Sequence, residues 1–193
     1  VVPGYLDATW ASRDHALRRY ISAQVSGSLS VLEVGCGVGA NLAHVNCPEV
    51  AGVDVNSSAI RYARSVLPTN VEVRYAEASK LPFPDDQFHT VFTAGLLVCI
   101  GPDSLDLALA ELTRVARERI ILFEAGPPER EEVWNDGETT YWHRDYGARL
   151  HDLGLVVVTK NLPDEVSLGH MNTQVTAQMS SSTSTREGRG DNK

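Results

Sequence analysis

Three glycines stand at alternate positions in the run from Val31 to Gly39, Val-Leu-Glu-Val-Gly-Cys-Gly-Val-Gly. Glycine permits unusual backbone angles and removes side chains that would block close approach. The run begins as a short apolar strand and leads into a helical pattern. Such a loop lies at the C-terminal edge of a sheet, where ligands of α/β proteins bind, and the following helix would present free N–H groups to it. Glu33 stands two residues before Gly35. A carboxylate there meets a pyrophosphate unfavourably and suits a cationic ligand. Asp54 ends the second strand, in Val-Ala-Gly-Val-Asp-Val. It can accept hydrogen bonds from both ribose hydroxyls, worth about 1.5–3 kcal/mol each before other costs.

The glycines alone leave two cofactors open. Gly35, Gly37 and Ala40 also satisfy Gly-x-Gly-x-x-Ala, the pattern of a nicotinamide or flavin dinucleotide site. Asp54 does not separate the two, since both cofactors carry an adenosine ribose. Glu33 does, and so does chain length: 193 residues leave little room for the substrate portion of a dehydrogenase. No Tyr-x-x-x-Lys pair is present.

A second cluster is Tyr141-Trp142-His143-Arg144-Asp145-Tyr146. His143 or Asp145 could serve as a general base, Arg144 could clamp an acidic group, and Tyr141 and Tyr146 could wall a pocket. The bland alternative is a helix start with an exposed charge pair and aromatics packed on the sheet. Glu124, at the end of a predicted strand, is another candidate base, or a cap for the neighbouring loop. Cys36 reads as a small filler within the glycine loop, and Cys99 as a buried apolar residue.

Alternating strand and helix signals position these residues. Tyr5–Val25 reads as an amphipathic helix or helix pair. Strands are expected at Ser30–Val34, Val50–Val55, Val71–Tyr75, Phe88–Thr93, Arg119–Phe123 and Leu155–Lys160, with a seventh between Ser167 and Ala177. Helices are expected at Val38–Val45, at Ser57–Leu67 with Asn56 as N-cap, at Ser104–Arg117 from its apolar periodicity, and at Tyr141–Leu153, ended by Gly154. Leu81–Gln87 and Gly126–Gly137 read as loops. The pattern predicts an α/β fold, a three-layer α-β-α sandwich around a mostly parallel, doubly wound sheet of seven or six strands. Residues 1–28 form an N-terminal helical segment, 29–178 the main domain, and 179–193 a Ser/Thr/Gly-rich tail too poor in apolar residues to order.

Apolar residues make up 42% of the chain and charged residues 22%, with a net charge of −8. That acidity argues against non-specific nucleic-acid binding. The three cysteines show neither disulfide nor zinc spacing, which suits the reduced cytoplasm. No apolar run approaches a membrane span, and no metal-ligand spacing appears.

Val31–Gly39, Asp54, Ala76-Glu77-Ala78 and Leu81-Pro82-Phe83 fall in the order of a class I (Rossmann-like) S-adenosylmethionine-dependent methyltransferase of the type 11 group, which the chain resembles from about Leu29 to Phe123. The resemblance implies that Glu33, Gly35, Cys36 and Gly37 hold the aminoacyl part of S-adenosylmethionine. It implies that Gly39 permits tight packing, Asp54 binds the ribose, Val55 lines the adenine, and Glu77 and Ala78 reach its amino group. Thr93 and Ala94 would lie beside the methyl group. Tyr5, Trp10 and Arg13 would belong to a segment covering the cofactor. Glu77 is one methylene longer than the family's common Asp, and His89 stands where Asp is frequent. The implied reaction is in-line transfer to an O or N nucleophile, less so C, of a small-molecule acceptor, yielding S-adenosylhomocysteine. The adenine-N6 and cytosine-C5 methylase motifs are absent, so nucleic acid is not the expected partner. A monomer or homodimer is expected. The alternatives are an NAD(P)-dependent oxidoreductase and a non-catalytic module that binds S-adenosylmethionine.

Overall fold

Leu17, Ile21 and Val25 recur at helical spacing and are buried along one face of α1 (Ala8–Val25). The chain then alternates. β1 (Ser30–Val34) leads through the glycine run to a single 3-10 turn at Leu42–His44, then to β2 (Glu49–Asp54), α2 (Ser57–Val66) and β3 (Val71–Tyr75). The second half comprises β4 (Phe88–Ala94), a 3-10 turn at Leu97–Cys99, α3 (Pro102–Val115) and β5 (Ala116–Ala125). It continues with β6 (Glu132–Asn135), β7 (Thr140–His143), α4 (Tyr146–Asp152), β8 (Val156–Asn161) and β9 (Met171–Gln178). The structure is a computed structural model and describes residues 8–128, 131–135, 137, 139–167 and 171–179.

Seven strands form one sheet in the order β3-β2-β1-β4-β5-β9-β8. The first five are mutually parallel, while β9 runs antiparallel to both β5 and β8. Strand side chains alternate between faces, and both faces are covered. Val31 packs with α1 and α2 residues such as Ile21 and Ile60. Leu32 and Val34 pack with Leu105, Leu109 and Leu112 of α3 and Leu150 of α4. This is the expected three-layer α-β-α sandwich, with seven strands. Strand order reverses between β1 and β4, so their C-terminal ends flank the crevice where such sheets take ligands.

Four expectations are corrected. Val38–Val45 is not an α-helix but a turn closing in one 3-10 turn. Positive φ at Gly37 and Gly39 and Pro48 ahead of β2 leave too little helical chain to propagate. The 126–137 loop contains β6, which pairs antiparallel with β7. The helix expected from Tyr141 begins only at Tyr146, because Tyr141–His143 lies in that hairpin and Asp145 is the N-cap of α4. Cys99 is exposed rather than buried. Asn56 caps α2 as expected, accepting from the Ser58 and Ala59 amides.

Candidate functional site

The glycine loop is tied to β2 by its own backbone. The Gly35 and Cys36 amides both donate to the Val53 carbonyl, at 2.8 and 2.9 Å, and the Gly39 amide donates to the Cys36 carbonyl at 2.8 Å. The φ values of Gly35, Gly37 and Gly39 are +81°, +51° and +80°. A Cβ at Gly35 would sit 2.8 Å from Leu96, and one at Gly39 would sit 2.5 Å from Leu67. At Gly37 a Cβ would meet nothing within 4 Å, which leaves its outward side open to a ligand. Sequence reasoning missed Gly52, where a Cβ would fall 2.5 Å from Leu42 and 2.9 Å from Cys36. A glycine inside a strand was the available signal of such close approach. Cys36 is buried here, and burial pushes its thiol well above the ordinary range.

Asp54 reaches both ways. Its Oδ2 accepts the Gly37 amide at 2.8 Å and its Oδ1 accepts the Asn56 amide at 2.7 Å. A carboxylate offers about four acceptor positions, so two backbone bonds leave capacity for a ligand. Glu33 is buried, and its Oε1 accepts from Asn41 Nδ2 at 2.6 Å. Its Oε2 has no hydrogen-bond partner among the described residues. Desolvation raises its carboxyl to about 8, opposed by the Asn41 bond; Asp54 adds repulsion and Arg18 of α1 attraction. Asn41 and Arg18 lie outside any motif that sequence reasoning could use.

A cleft of about 320 Å³ opens at this edge. Of the residues named from sequence, it is lined by Gly35, Asp54, Val55, Glu77 and Ala78. Val55 is exposed on it. Glu77 is exposed too, its carbonyl taking the Lys80 amide at 3.0 Å. The opposite wall, from Leu96 through Cys99, Ile100 and Gly101 to Ser104 and Ala108, was not anticipated. Glu33, Cys36, Gly37, Gly39, Thr93 and Ala94 border the loop without lining this cleft. Thr93 is buried, and its hydroxyl donates to Glu124 Oε1 at 2.7 Å. The same carboxylate accepts the Leu96 amide at 3.1 Å and the Leu97 amide at 3.2 Å. Glu124 therefore holds the first residues of the unanticipated wall. Burial raises it to about 7, against the hydrogen bonds from Thr93 and the wall amides, which lower it.

The aromatic cluster is distributed among different tasks. Arg144 is only 3% exposed. It donates to the Ile100 carbonyl at 2.8 Å and lies over the Trp142 ring, so it ties the β6–β7 hairpin to the cleft wall. Asp145 Oδ1 accepts the Ala148 amide at 2.9 Å as the N-cap of α4. Tyr146 is buried, donates to the Trp142 carbonyl at 2.7 Å, and has its phenol raised by burial. Tyr141 stacks on Trp134, with ring centroids 5.1 Å apart. His143 ends β7, directly opposite Glu132. Tyr5 and the side chains of Trp10 and Arg13 lie outside the described residues. Further along α1, Ser22 donates to the His44 carbonyl at 2.6 Å, which sets that helix beside the glycine loop. Among the described residues, no His, Cys, Asp and Glu side chains gather into a potential metal site, and no helix is long and apolar enough to cross a membrane.

Comparison with known proteins agrees with this geometry. The sequence profile of a methyltransferase-domain family matches residues 31–119. An uncharacterized protein of Haemophilus influenzae is 31% identical over 100 residues, which are 48% of this chain and 40% of that protein. The chain thus matches less than half the length of that curated relative. Among solved structures, the 1,6-didemethyltoxoflavin-N1-methyltransferase of Burkholderia thailandensis superposes with a TM-score of 0.70 at 17% identity, over 89% of this chain and 80% of that one. A magnesium protoporphyrin IX methyltransferase from Synechocystis PCC 6803 gives 0.67 at 17% identity, over 92% and 90%. An amino pentose methyltransferase from Micromonospora echinaspora gives 0.66 at 16% identity, over 88% and 92%. The sheet order and these superpositions show that the chain has the fold these structures share, with the methyltransferase-domain profile matching residues 31–119 of it.

Proposed function

We propose that this protein transfers the methyl group of S-adenosylmethionine to an oxygen or nitrogen of a small-molecule acceptor. The observation that carries the reading is Glu33, a buried carboxylate with one oxygen lacking a partner among the described residues, next to a glycine loop that Asp54 holds through the Gly37 amide. A buried ionised carboxylate is costly unless paired. A cationic amino group supplies that pairing, and a pyrophosphate does the opposite. The residues present therefore fit the sulfonium cofactor and disfavour a dinucleotide.

When bound, the cofactor supplies an already activated methyl group. In this reading Glu33 neutralises the cofactor's ammonium, the free acceptor positions of Asp54 receive ribose hydroxyls, and the open side of Gly37 lets the backbone approach. Val55, Glu77 and Ala78 line the adenine half of the cleft. Gly35 and Gly39 keep the loop in shape, and Cys36 fills space behind it. Thr93 and Ala94 close the end of β4, where Glu124 fixes the wall. The chain's remaining work is to bring the acceptor about 3–3.5 Å from the methyl carbon and align it, and to take a proton from it where the acceptor carries one. Of the candidate bases, His143, at the end of β7, is the side chain we assign to proton removal.

A small-molecule acceptor is supported by the structural neighbours named for small molecules and by the net charge of −8, which repels nucleic acid. Three free cysteines suit a reducing, cytoplasmic setting. The reading is tested by incubating the protein with S-adenosylmethionine carrying a tritiated methyl group and a fractionated small-molecule extract. Label should appear in an organic-soluble or small polar product. Label only in nucleic acid or protein, with cofactor binding intact, would contradict the acceptor class.

A further inference from the structure

Arg144 is the one buried basic residue among the described residues. Its guanidinium carries five N–H donors. Among the described residues that guanidinium has one hydrogen-bond acceptor, the Ile100 carbonyl, and its carbon lies 5.4 Å from the centre of the Trp142 ring. A carbonyl and a ring face stabilise a cation, but neither brings a negative charge. No carboxylate among the described residues stands within ion-pair distance of Arg144. Arg114 and Arg149 differ. They are partly exposed, and each has an acid at 2.6 Å, Glu111 for the first and Glu131 for the second. A buried charge is costly unless it is paired, so the cation that most needs a counter-charge is one that the described residues leave without it.

Arg144 lines a cavity of about 270 Å³ bounded by α3, α4 and the β6–β7 hairpin. The apolar part of its wall is Pro102 and Leu105 of α3 together with Val133 and Trp142. Val133 and Trp142 are directly opposed across the hairpin and so share one of its faces. The exposed Glu131 and Glu132 also line the cavity, and Asp106 stands 3.6 Å from its second arginine, Arg149. The cavity shares no lining residue with the cleft at the glycine loop. The two adjoin, since Ile100 and Gly101 line the cleft and the next residue, Pro102, lines the cavity.

We propose that this cavity is a second ligand site, separate from the cofactor cleft, and that it takes a small monocarboxylate with an apolar body. The carboxylate pairs with Arg144, whose planar fork can present two parallel N–H donors to two oxygens. The apolar body lies against Leu105, Val133 and Trp142 and leaves water. Glu131, Glu132 and Asp106 outnumber Arg149 at the cavity, so a phosphate dianion meets more repulsion there than a monoanion does. The site goes beyond the transfer reaction: its ligand needs no methyl donor and binds alongside the cofactor.

The test is calorimetric binding of three probes to the full chain: 3-phenylpropionate, its uncharged counterpart 3-phenylpropan-1-ol, and inorganic phosphate. The parent should bind 3-phenylpropionate one-to-one, at least tenfold more tightly than either of the others. Excess S-adenosylhomocysteine should leave that affinity within about threefold. Arg144→Met, which keeps the length of the side chain without its charge, should weaken 3-phenylpropionate at least tenfold, with the fold checked by circular dichroism. Val133→Glu changes an exposed strand residue and leaves Arg144 in place, so it serves even if Arg144→Met does not fold. It should weaken 3-phenylpropionate at least fivefold and leave S-adenosylhomocysteine affinity unchanged. Absence of saturable 3-phenylpropionate binding, equal binding of the alcohol or of phosphate, displacement of 3-phenylpropionate by S-adenosylhomocysteine, or unchanged affinity in either folded variant would overturn the site.

Discussion

The Asp54 carboxylate accepts the Gly37 backbone amide at 2.8 Å, which joins the end of β2 to the glycine loop. One residue thereby shapes the loop and, under the proposed function, offers acceptors to a ribose. Asp54→Ala removes both contributions. We expect affinity for S-adenosylhomocysteine to fall at least tenfold in calorimetry, with the fold retained by circular dichroism. Thermal stability should fall as well, since two hydrogen bonds to a charged acceptor are lost, a loss of about 1–3 kcal/mol after solvent compensation. Unchanged affinity would defeat the ribose assignment.

Gly37 and Gly39 separate ligand approach from chain packing. Gly37→Ala meets no neighbour, so its stability cost is the left-handed backbone penalty of about 1–2 kcal/mol. Cofactor affinity should fall by more than that penalty explains. Gly39→Ala drives a methyl group against Leu67 and should destabilise more than Gly37→Ala in urea unfolding. The opposite ranking would move the ligand approach from Gly37 to Gly39.

Glu33 predicts a specific pH dependence. Its folded carboxyl lies at about 8, above its ordinary value of 4.5. A group shifted in that direction contributes its full stability below the ordinary value and loses it as pH rises through the folded value. The ligand-free protein should therefore lose stability between about pH 5 and pH 8, and Glu33→Gln should flatten that loss. At pH 7, below that value, Glu33 is mostly protonated. A ligand that pairs with the carboxylate must displace that proton. Titrations in buffers of different ionisation enthalpy should show about one proton released, and none from this group in Glu33→Gln.

Glu124 and Asp145 are expected to behave as anchors. Glu124→Gln places an amide N–H₂ against backbone donors or the Thr93 hydroxyl, so stability should drop by about 1–3 kcal/mol and S-adenosylhomocysteine affinity should weaken with it. Asp145→Ala removes the α4 cap at about 1 kcal/mol and should leave cofactor affinity unchanged. Abolished methyl transfer by Asp145→Ala, with stability and cofactor binding intact, would restore it as a base.

Much of the fold around this candidate site was legible in the sequence because it depends on short-range rules. Apolar runs bounded by turns marked β1, β3 and β4, and Asn56 announced α2 through its own cap. Glu33 and Asp54 were readable because strand ends on one sheet edge converge. The hairpin was not readable. Tyr141-Trp142-His143 carries no period that separates helix from strand over so few residues, and its state is decided by pairing with Glu132–Asn135. The helix expected after the glycine loop failed for a related reason, since a strong local pattern yields to the angles of Gly37 and Gly39 and to Pro48. The cleft wall from Leu96 to Gly101 was invisible because it is built by Glu124, a partner 28 residues from Leu96. Cys99, which reads as core filler by composition, is carried into the open by that same turn.

The central claim is that the glycine loop and its two carboxylates hold S-adenosylmethionine. Side-by-side calorimetry at pH 7 with S-adenosylhomocysteine and with NAD⁺ tests it most directly, on the parent chain and on Asp54→Ala. The account predicts saturable one-to-one binding of S-adenosylhomocysteine that weakens at least tenfold in Asp54→Ala, and no binding of NAD⁺. Saturable binding of NAD⁺ with none of S-adenosylhomocysteine would contradict it.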